Sequence, residues 1–261
     1  MCMRTFLWRL GLNTGPWPCR GLPRICFSSC SASRARRHWS YLPSPPTRDL
    51  ATTQEVTIIA LASLAETRDN ETGNHILRTQ RYVRILAEQL AKGPQAALLT
   101  PQYIDLLYQS APLHDIGKVG IPDAILLKPG RLEPEEFAVM KRHAQYGHDA
   151  LQAAVDRLGP TSFLRLAQEI ALTHHEKWDG GGYPNGLKAE VIPLSGRLMA
   201  LADVYDALIC KRVYKRAFSH EETRAIILEG QGTHFDPLVV EAFLVEEAKF
   251  LVIAAEFSEA E

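Results

Sequence analysis

Apolar residues recur every three or four positions along nearly the whole chain from about residue 50. In the segment 75–93, "HILRTQRYVRILAEQLAKG", Ile76, Val83, Leu86 and Leu90 fall on one broad apolar stripe. This period is that of an amphipathic α-helix, and no segment shows the strict alternation of a half-buried strand. The pattern therefore predicts an all-α fold, one bundle of about seven or eight helices.

Capping signals divide the pattern into separate helices. Thr100–Pro101 is typical of an N-cap followed by proline at the first helical position, and it opens a helix to about Leu113. Ser219 with Glu222 forms a capping box, and Asp236–Pro237 is another cap with proline. Further helices are predicted over 133–157, 161–175, 193–210, 219–229 and 236–250.

Composition excludes two classes of function. Of 261 residues, 46% are hydrophobic and 23% charged, and we find no run of 18 uncharged apolar residues, so no membrane span is expected. The net charge of −1 conceals an asymmetry, because residues 1–48 hold eight arginines and no acidic residue. The remaining body has 21 basic against 30 acidic residues, and a body this acidic is a poor binder of nucleic acid.

The first 48 residues differ from the body. They are rich in Arg, Ser, Cys and Pro, hold Cys2, Cys19, Cys26 and Cys30, and show no sustained period. We interpret 1–48 as a disordered or atypical segment and 49–261 as the folded domain; a transit peptide and a misassigned start codon are the alternatives. The body holds only Cys210, which fits a reducing cytoplasm.

Eight histidines and carboxylates in the body lie near predicted helix ends or in pairs. They are Glu71, His75, His114, Asp115, His143, His174, His175 and Asp203. Each has an ordinary explanation: Glu71 and His75, four apart, are typical of a solvated pair on a helix face. Asp203, however, lies between Ala202 and Val204, so its carboxylate needs a partner or a metal ion if that helix faces the core.

Two doublets, His114–Asp115 and His174–His175, favour more than one metal ion. Consecutive helical residues point about 100° apart, so they are poorly placed to hold a single ion side by side and better placed to flank a cluster. A set of imidazoles and carboxylates without cysteine suits iron or manganese, although imidazole also accepts zinc. Paired metal ions activate water and hold phosphoryl oxygens.

The motifs around these residues resemble a known family. "HDIGK" is similar to the signature of HD-superfamily phosphohydrolases, and "HHEKWDGGGYP" resembles the extended signature of the HD-GYP family. Further segments match in order, including "LADVYDAL" and "KRVYKRAFS", so that the resemblance covers Leu50 to Phe243. It implies the HD-superfamily helical bundle and makes all eight residues of the pattern metal ligands of two or three divalent ions, with Glu71 accompanying the third.

The resemblance also assigns catalytic and substrate-binding residues. Asp115 would be catalytic as well as a ligand, and Lys118 would lie beside the reacting phosphate, where a cation stabilises developing charge. The substrate loop would contain Gly182, Tyr183 and Pro184. Arg212 and Lys215 match positions that hold the substrate, although the family commonly has proline where this chain has Val213.

The function implied is hydrolysis of the bacterial second messenger cyclic di-GMP to pGpG, with GMP to follow if a third metal ion is bound. The chain would resemble the output domain of a receiver-linked response regulator, and we expect no control by phosphorylation in cis. Two alternatives stay open: another HD nucleotide phosphohydrolase, or a non-catalytic binding module that contacts diguanylate cyclases through the GYP surface.

Overall fold

The structure, a computed structural model, describes residues 45–68, 74–158, 163–210 and 217–257. These residues form α-helices and 3₁₀ turns and no β-strand. The helices are α1 (Pro45–Glu66), α2 (His75–Leu90), α3 (Pro101–Ser110), α4 (Asp123–Leu126), α5 (Pro134–Met140), α6 (Arg142–Leu158), α7 (Phe163–Thr173), α8 (Leu194–Ile209), α9 (His220–Glu229) and α10 (Pro237–Glu256). The all-α prediction is confirmed, and eight of these described helices have ten residues or more.

The predicted caps begin the helices as expected. The Thr100 side chain accepts a hydrogen bond from the Tyr103 amide at the start of α3. Ser219 and Glu222 form the capping box of α9, and Asp236 caps α10. These side chains satisfy amide groups that have no partner in the first turn of a helix.

One predicted helix is divided. The single helix expected over 133–157 is two helices, α5 and α6, with Lys141 in a turn between them. At this junction the Met140 carbonyl accepts a hydrogen bond from Nδ1 of His143, at 2.7 Å. The apolar period continues through the junction, so the sequence pattern could not reveal it.

The core holds α2, α8 and α10 together. Tyr82 of α2 stacks on Phe250 of α10, with ring centroids 4.4 Å apart, and meets Tyr205 of α8 edge-on at 5.2 Å. All three side chains are fully buried, and the apolar ring of Phe250 contributes about 1.5–3 kcal/mol by leaving water. This packing fixes α2 beside α8, the two helices that carry His75 and Asp203.

Two predictions about the whole chain lie partly outside the described residues. The division at residue 48 concerns a segment of which only the last few residues are described, and it stays a prediction. Within the described ranges, no helix has both the length and the apolarity that crossing a membrane requires.

Candidate metal centre

Three side chains from separate elements form what we call the first ligand group: His75, His114 and Asp203. His75 begins α2, His114 follows a 3₁₀ turn after α3, and Asp203 lies in α8. Nε2 of His75 lies 3.4 Å from Nε2 of His114 and 3.6 Å from Oδ1 of Asp203. One ligand atom from each residue therefore falls within 4.8 Å of the others.

Four side chains form the second ligand group: Asp115, His143, His174 and His175. Oδ1 of Asp115 lies 3.3 Å from Nε2 of His143 and 3.6 Å from Nε2 of His174. Asp115, His143 and His174 are buried, and His175 is half-buried. Seven of the eight predicted ligands lie in the described residues, and all seven fall in one of the two groups.

The two groups meet at His114 and Asp115. Nε2 of His114, in the first group, lies 3.3 Å from Oδ2 of Asp115, in the second. This doublet divides between the groups, whereas His174 and His175 both fall in the second group. Neither doublet lies in an α-helix, since His114 and Asp115 follow a 3₁₀ turn and α7 ends at Thr173, so the argument from consecutive helical residues applies to neither.

Gly117 allows the turn that carries Asp115 to pack closely against α6, which carries His143. A Cβ at Gly117 would overlap the carbonyl oxygen of His143 and the amide nitrogen of Gly147. Only glycine allows the turn after Asp115 to approach α6 this closely. The "HDIGK" motif therefore includes a packing requirement that places Asp115 beside His143.

Backbone carbonyls fix the tautomers of three histidines. Nδ1 of His114 donates to Ala111 O at 3.0 Å, Nδ1 of His143 to Met140 O, and Nδ1 of His174 to Ile170 O at 3.0 Å. A carbonyl oxygen only accepts, so each Nδ1 carries the hydrogen and each Nε2 presents a lone pair to the site. Metal-binding imidazoles are commonly held in this way.

Three buried polar atoms in the second group have no hydrogen-bond partner among the described residues: Oδ1 of Asp115 and Nε2 of His143 and His174. Each is an acceptor, and acceptors that converge at 3.3–3.6 Å repel one another unless a cation lies among them. The residues present therefore fit a bound divalent cation.

The protonation states also suit a cation. Burial lowers the pKa of His143 to about 4 and takes the pKa of His175 well below its usual value. Burial raises the pKa of Asp115, but Lys118 and His114 outweigh it and hold that pKa well below the ordinary range. Near neutral pH His143 and His175 are therefore neutral and Asp115 is ionised, the forms that bind metal.

The imidazole of His75, in the first group, is held in place by Asp206 and Arg78, a contact that the sequence reasoning missed. Nδ1 of His75 donates to Oδ2 of Asp206 at 2.8 Å, and Arg78 contacts both oxygens of the same carboxylate, with Nε at 2.6 Å and Nη2 at 2.9 Å. The signal was available, since Asp206 follows Asp203 by three residues in an apolar helix and Arg78 follows His75 by three.

Lys118 lies at the edge of the second group. Its ammonium is 2.8 Å from Oδ2 of Asp115, and its side chain is mostly buried. A cation here neutralises part of the carboxylate charge and remains close to where a phosphate would meet the ligand atoms. This position agrees with the predicted catalytic role, which stays a prediction.

The GYP loop covers the second group from one side. The Tyr183 ring stacks on His175 at 4.7 Å between centroids, and burial raises the pKa of its hydroxyl. A Cβ at Gly182 would overlap the backbone of Glu176 and Lys177, so glycine is required there. Pro184 continues the loop after Tyr183 through a cis peptide bond.

Glu176 is a second functional residue that the sequence reasoning missed. Its buried carboxylate accepts hydrogen bonds from the amide of Asn185 at 2.8 Å and the amide of Leu187 at 3.0 Å. It thereby fastens the far side of the glycine-rich loop to the turn that carries His174 and His175. Its position directly after the two histidines was the available signal.

Three predicted site residues lie outside the described residues: Glu71, Arg212 and Lys215. The same holds for Val213, where the chain departs from the family pattern. Their roles as third-metal ligand and as substrate contacts stay predictions.

The chain is similar to known proteins along most of its length. Residues 60–239 match the HD domain family. Over 213 residues the chain is 66% identical to a cyclic di-GMP phosphodiesterase of Vibrio cholerae, covering 81% of this chain and 43% of that protein. It is 42% identical over 207 residues to 3'3'-cGAMP-specific phosphodiesterase 2 of the same organism, covering 79% and 37%. The chain thus spans less than half the length of these two relatives.

A solved structure supports the fold. The crystal structure of a cyclic GMP-AMP-specific phosphodiesterase of V. cholerae matches with a TM-score of 0.51 over 79% of this chain and 51% of that one. The two are 20% identical, so this likeness concerns the fold alone. Since the family match covers more than half the chain and the HHE and GYP motifs occupy the expected places, the chain belongs to the HD domain family, in its HD-GYP group.

Proposed function

We propose that this chain is a metal-dependent phosphodiesterase that hydrolyses cyclic di-GMP to pGpG. The observation that carries the proposal is the meeting of the two ligand groups at His114 and Asp115, with Lys118 and Tyr183 beside them. The relative named as a cyclic di-GMP phosphodiesterase, at 66% identity, supports the substrate.

The ligand groups would hold two or three divalent ions, with iron or manganese the best match to imidazole and carboxylate donors. When bound, such ions polarise a phosphoryl oxygen and make water a nucleophile near neutral pH. Glu71 would complete a third site, and GMP would then follow pGpG as the end product.

The protein's own residues orient and neutralise the substrate. The ammonium of Lys118 lies 2.8 Å from Asp115, at the edge of the second ligand group. From there Lys118 donates toward a non-bridging phosphoryl oxygen and stabilises the negative charge that develops on it. Asp115 stays ionised and would offer its carboxylate to the bound ions, while backbone carbonyls keep His143 and His174 turned toward the site. Among the described residues these two carry the reaction.

The GYP loop would hold the nucleotide. Tyr183 lies against His175 and can contact a base or sugar at the edge of the centre, while Gly182 and Pro184 shape the loop. Arg212 would bind a phosphate with its planar guanidinium, and Lys215 would add a point charge.

A cytoplasmic location and contact with diguanylate cyclases through the GYP surface are further proposals. The first rests on the body's cysteine content, because Cys210 is the only cysteine in the body and forms no disulfide among the described residues. The second rests on the family resemblance.

Two other functions compete with hydrolysis of cyclic di-GMP. A non-catalytic module would not need all seven described ligand residues gathered in two groups. Another HD nucleotide phosphohydrolase would not need the GYP loop against His175. A mixed cyclic dinucleotide is the nearest substrate alternative, since one relative is named for 3'3'-cGAMP.

Anaerobic purification followed by a turnover assay tests the proposal. The chain loaded with iron or manganese should convert cyclic di-GMP to pGpG, and an Asp115→Ala variant should lose at least about a hundredfold in kcat. Circular dichroism confirms that the variant is folded. Absence of hydrolysis by the loaded chain, or full activity in the variant, contradicts the proposal.

A further inference from the structure

An exposed aromatic side chain lies beside the GYP loop. Phe137 of α5 is 45% exposed, and its ring meets the Tyr183 ring nearly at a right angle, with centroids 6.1 Å apart. Two aromatic rings at a right angle form a concave corner that offers a face and an edge to a flat ligand. The exposed part of the Phe137 ring is therefore accessible to a ligand that enters beside the loop.

A lysine accompanies the two rings. The ammonium of Lys141 lies 5.3 Å from the centre of the Phe137 ring and 5.9 Å from the centre of the Tyr183 ring. Lys141 is half-buried, and among the described residues no carboxylate lies within ion-pair distance of its ammonium. Lys141 lies at the junction between α5 and α6, and its amide donates a hydrogen bond to the carbonyl of Phe137 at 3.0 Å.

The corner is connected to the metal centre through one ring. Tyr183 stacks on His175 of the second ligand group at 4.7 Å and lies 6.4 Å from the ring of His143. A nucleotide whose phosphate reached the ligand groups would therefore bring its base or sugar to Tyr183, and the next surface it meets is that of Phe137 and Lys141.

We propose that Phe137, Lys141 and Tyr183 form a base-binding corner that selects guanine over adenine. This deepens the proposed function and rests on it. Aromatic rings stack on any base, so Phe137 and Tyr183 supply affinity with little sequence preference. Selection comes from Lys141, because guanine presents two acceptors, O6 and N7, where adenine presents N7 and the donor N6 amino group. A lysine ammonium only donates, so it favours guanine.

Binding of GMP and AMP to the metal-loaded chain tests this directly. The two nucleotides share the phosphate and sugar and differ only in the base, and their binding requires no turnover. Isothermal titration calorimetry gives both values of Kd for the unaltered chain, for Lys141→Met, which keeps an unbranched stem and removes the charge, and for Phe137→Leu, which removes the ring. Lys249→Met on α10 is the matched control, and Phe137→Tyr is the conservative variant.

The two variants should behave differently. Lys141→Met should weaken GMP on the order of tenfold, leave AMP unchanged, and bring the ratio of their Kd values close to one. Phe137→Leu should weaken both nucleotides on the order of tenfold, and Phe137→Tyr should restore them. Lys249→Met should change neither.

Other results would overturn the inference. If Lys141 served only to fasten the α5–α6 junction, Lys141→Met would weaken GMP and AMP equally and lower the melting temperature. Equal affinity of the unaltered chain for both nucleotides, or unchanged affinity in Phe137→Leu, also overturns it. Hydrolysis of cyclic di-GMP without a base preference overturns only this inference, whereas a Lys141-dependent preference without hydrolysis overturns only the proposed function.

Discussion

The two ligand groups hold their histidines by different means. In the second group, Nδ1 of His143 and His174 donates to carbonyl oxygens of the backbone. In the first group, His75 donates to the side chain of Asp206, which is in turn held by Arg78. His114 belongs to the first group but is held by a backbone carbonyl.

This difference predicts different sensitivity to mutation. A backbone carbonyl remains whatever side chain replaces its residue, so the second group is disturbed only when the path of the chain changes. A supporting carboxylate can be removed by one substitution, which takes a buried acceptor away from the side chains that it holds. Metal binding by the two groups can therefore be weakened separately. Substitution of a supporting side chain affects the first group, and a change in backbone packing affects the second.

The largest effect is expected from Asp206→Ala. It leaves the buried Arg78 guanidinium without its carboxylate and His75 without its hydrogen-bond acceptor, at a cost of about 3–5 kcal/mol in the free energy of unfolding. Metal affinity of the first group should fall about 10–100-fold while the second group keeps its ion. Chemical denaturation and metal titration measure the two effects.

Glu256→Ala, at the end of α10, provides the matched control. Glu256 pairs with Arg81 at 2.8 Å, but that pair is exposed, so its loss should cost less than about 1 kcal/mol and leave metal binding unchanged. Equal destabilisation by the two substitutions would show that the Arg78–Asp206 pair has no special role.

Gly117→Ala tests the second group through packing. The added Cβ overlaps the backbone of His143 and Gly147, so the turn carrying Asp115 must move away from α6, at about 1–3 kcal/mol. Metal loss should begin at the second group. In Gly93→Ala the new Cβ meets only Leu90 O at 3.7 Å, an ordinary contact, so stability and metal content should be retained.

A smaller effect is expected from Glu176→Gln, which acts on the loop rather than on either group. The glutamine side chain keeps one acceptor oxygen, whereas the carboxylate accepts from two backbone amides. The loop is therefore held less firmly, by about 1 kcal/mol for the lost hydrogen bond. KM should rise about fivefold with metal content unchanged. Glu190→Gln, at an exposed position nearby, should leave KM as it is, and a drop in metal content in Glu176→Gln would contradict a role limited to the loop.

Sequence periodicity was enough to predict the helices and their caps, because apolar spacing and capping side chains are local properties. The seven described ligands followed from residue type and motif. The supporting roles of Arg78, Asp206 and Glu176 were missed although their spacing from the ligand residues was visible, because motif matching does not show which side chains contact one another. The junction at Lys141 was missed because the apolar period continues through it, so the pattern does not show that α5 and α6 are separate helices.

Metal stoichiometry tests the central claim, that two separate ligand groups together hold the catalytic metal ions. Elemental analysis of the anaerobically purified chain should give two or three ions of iron or manganese per chain. His75→Ala should empty the first group and His143→Ala the second, so that each variant retains at least one ion and both lose turnover of cyclic di-GMP. A single ion per chain in the unaltered protein, or two or more ions retained by both variants at full turnover, would contradict the account.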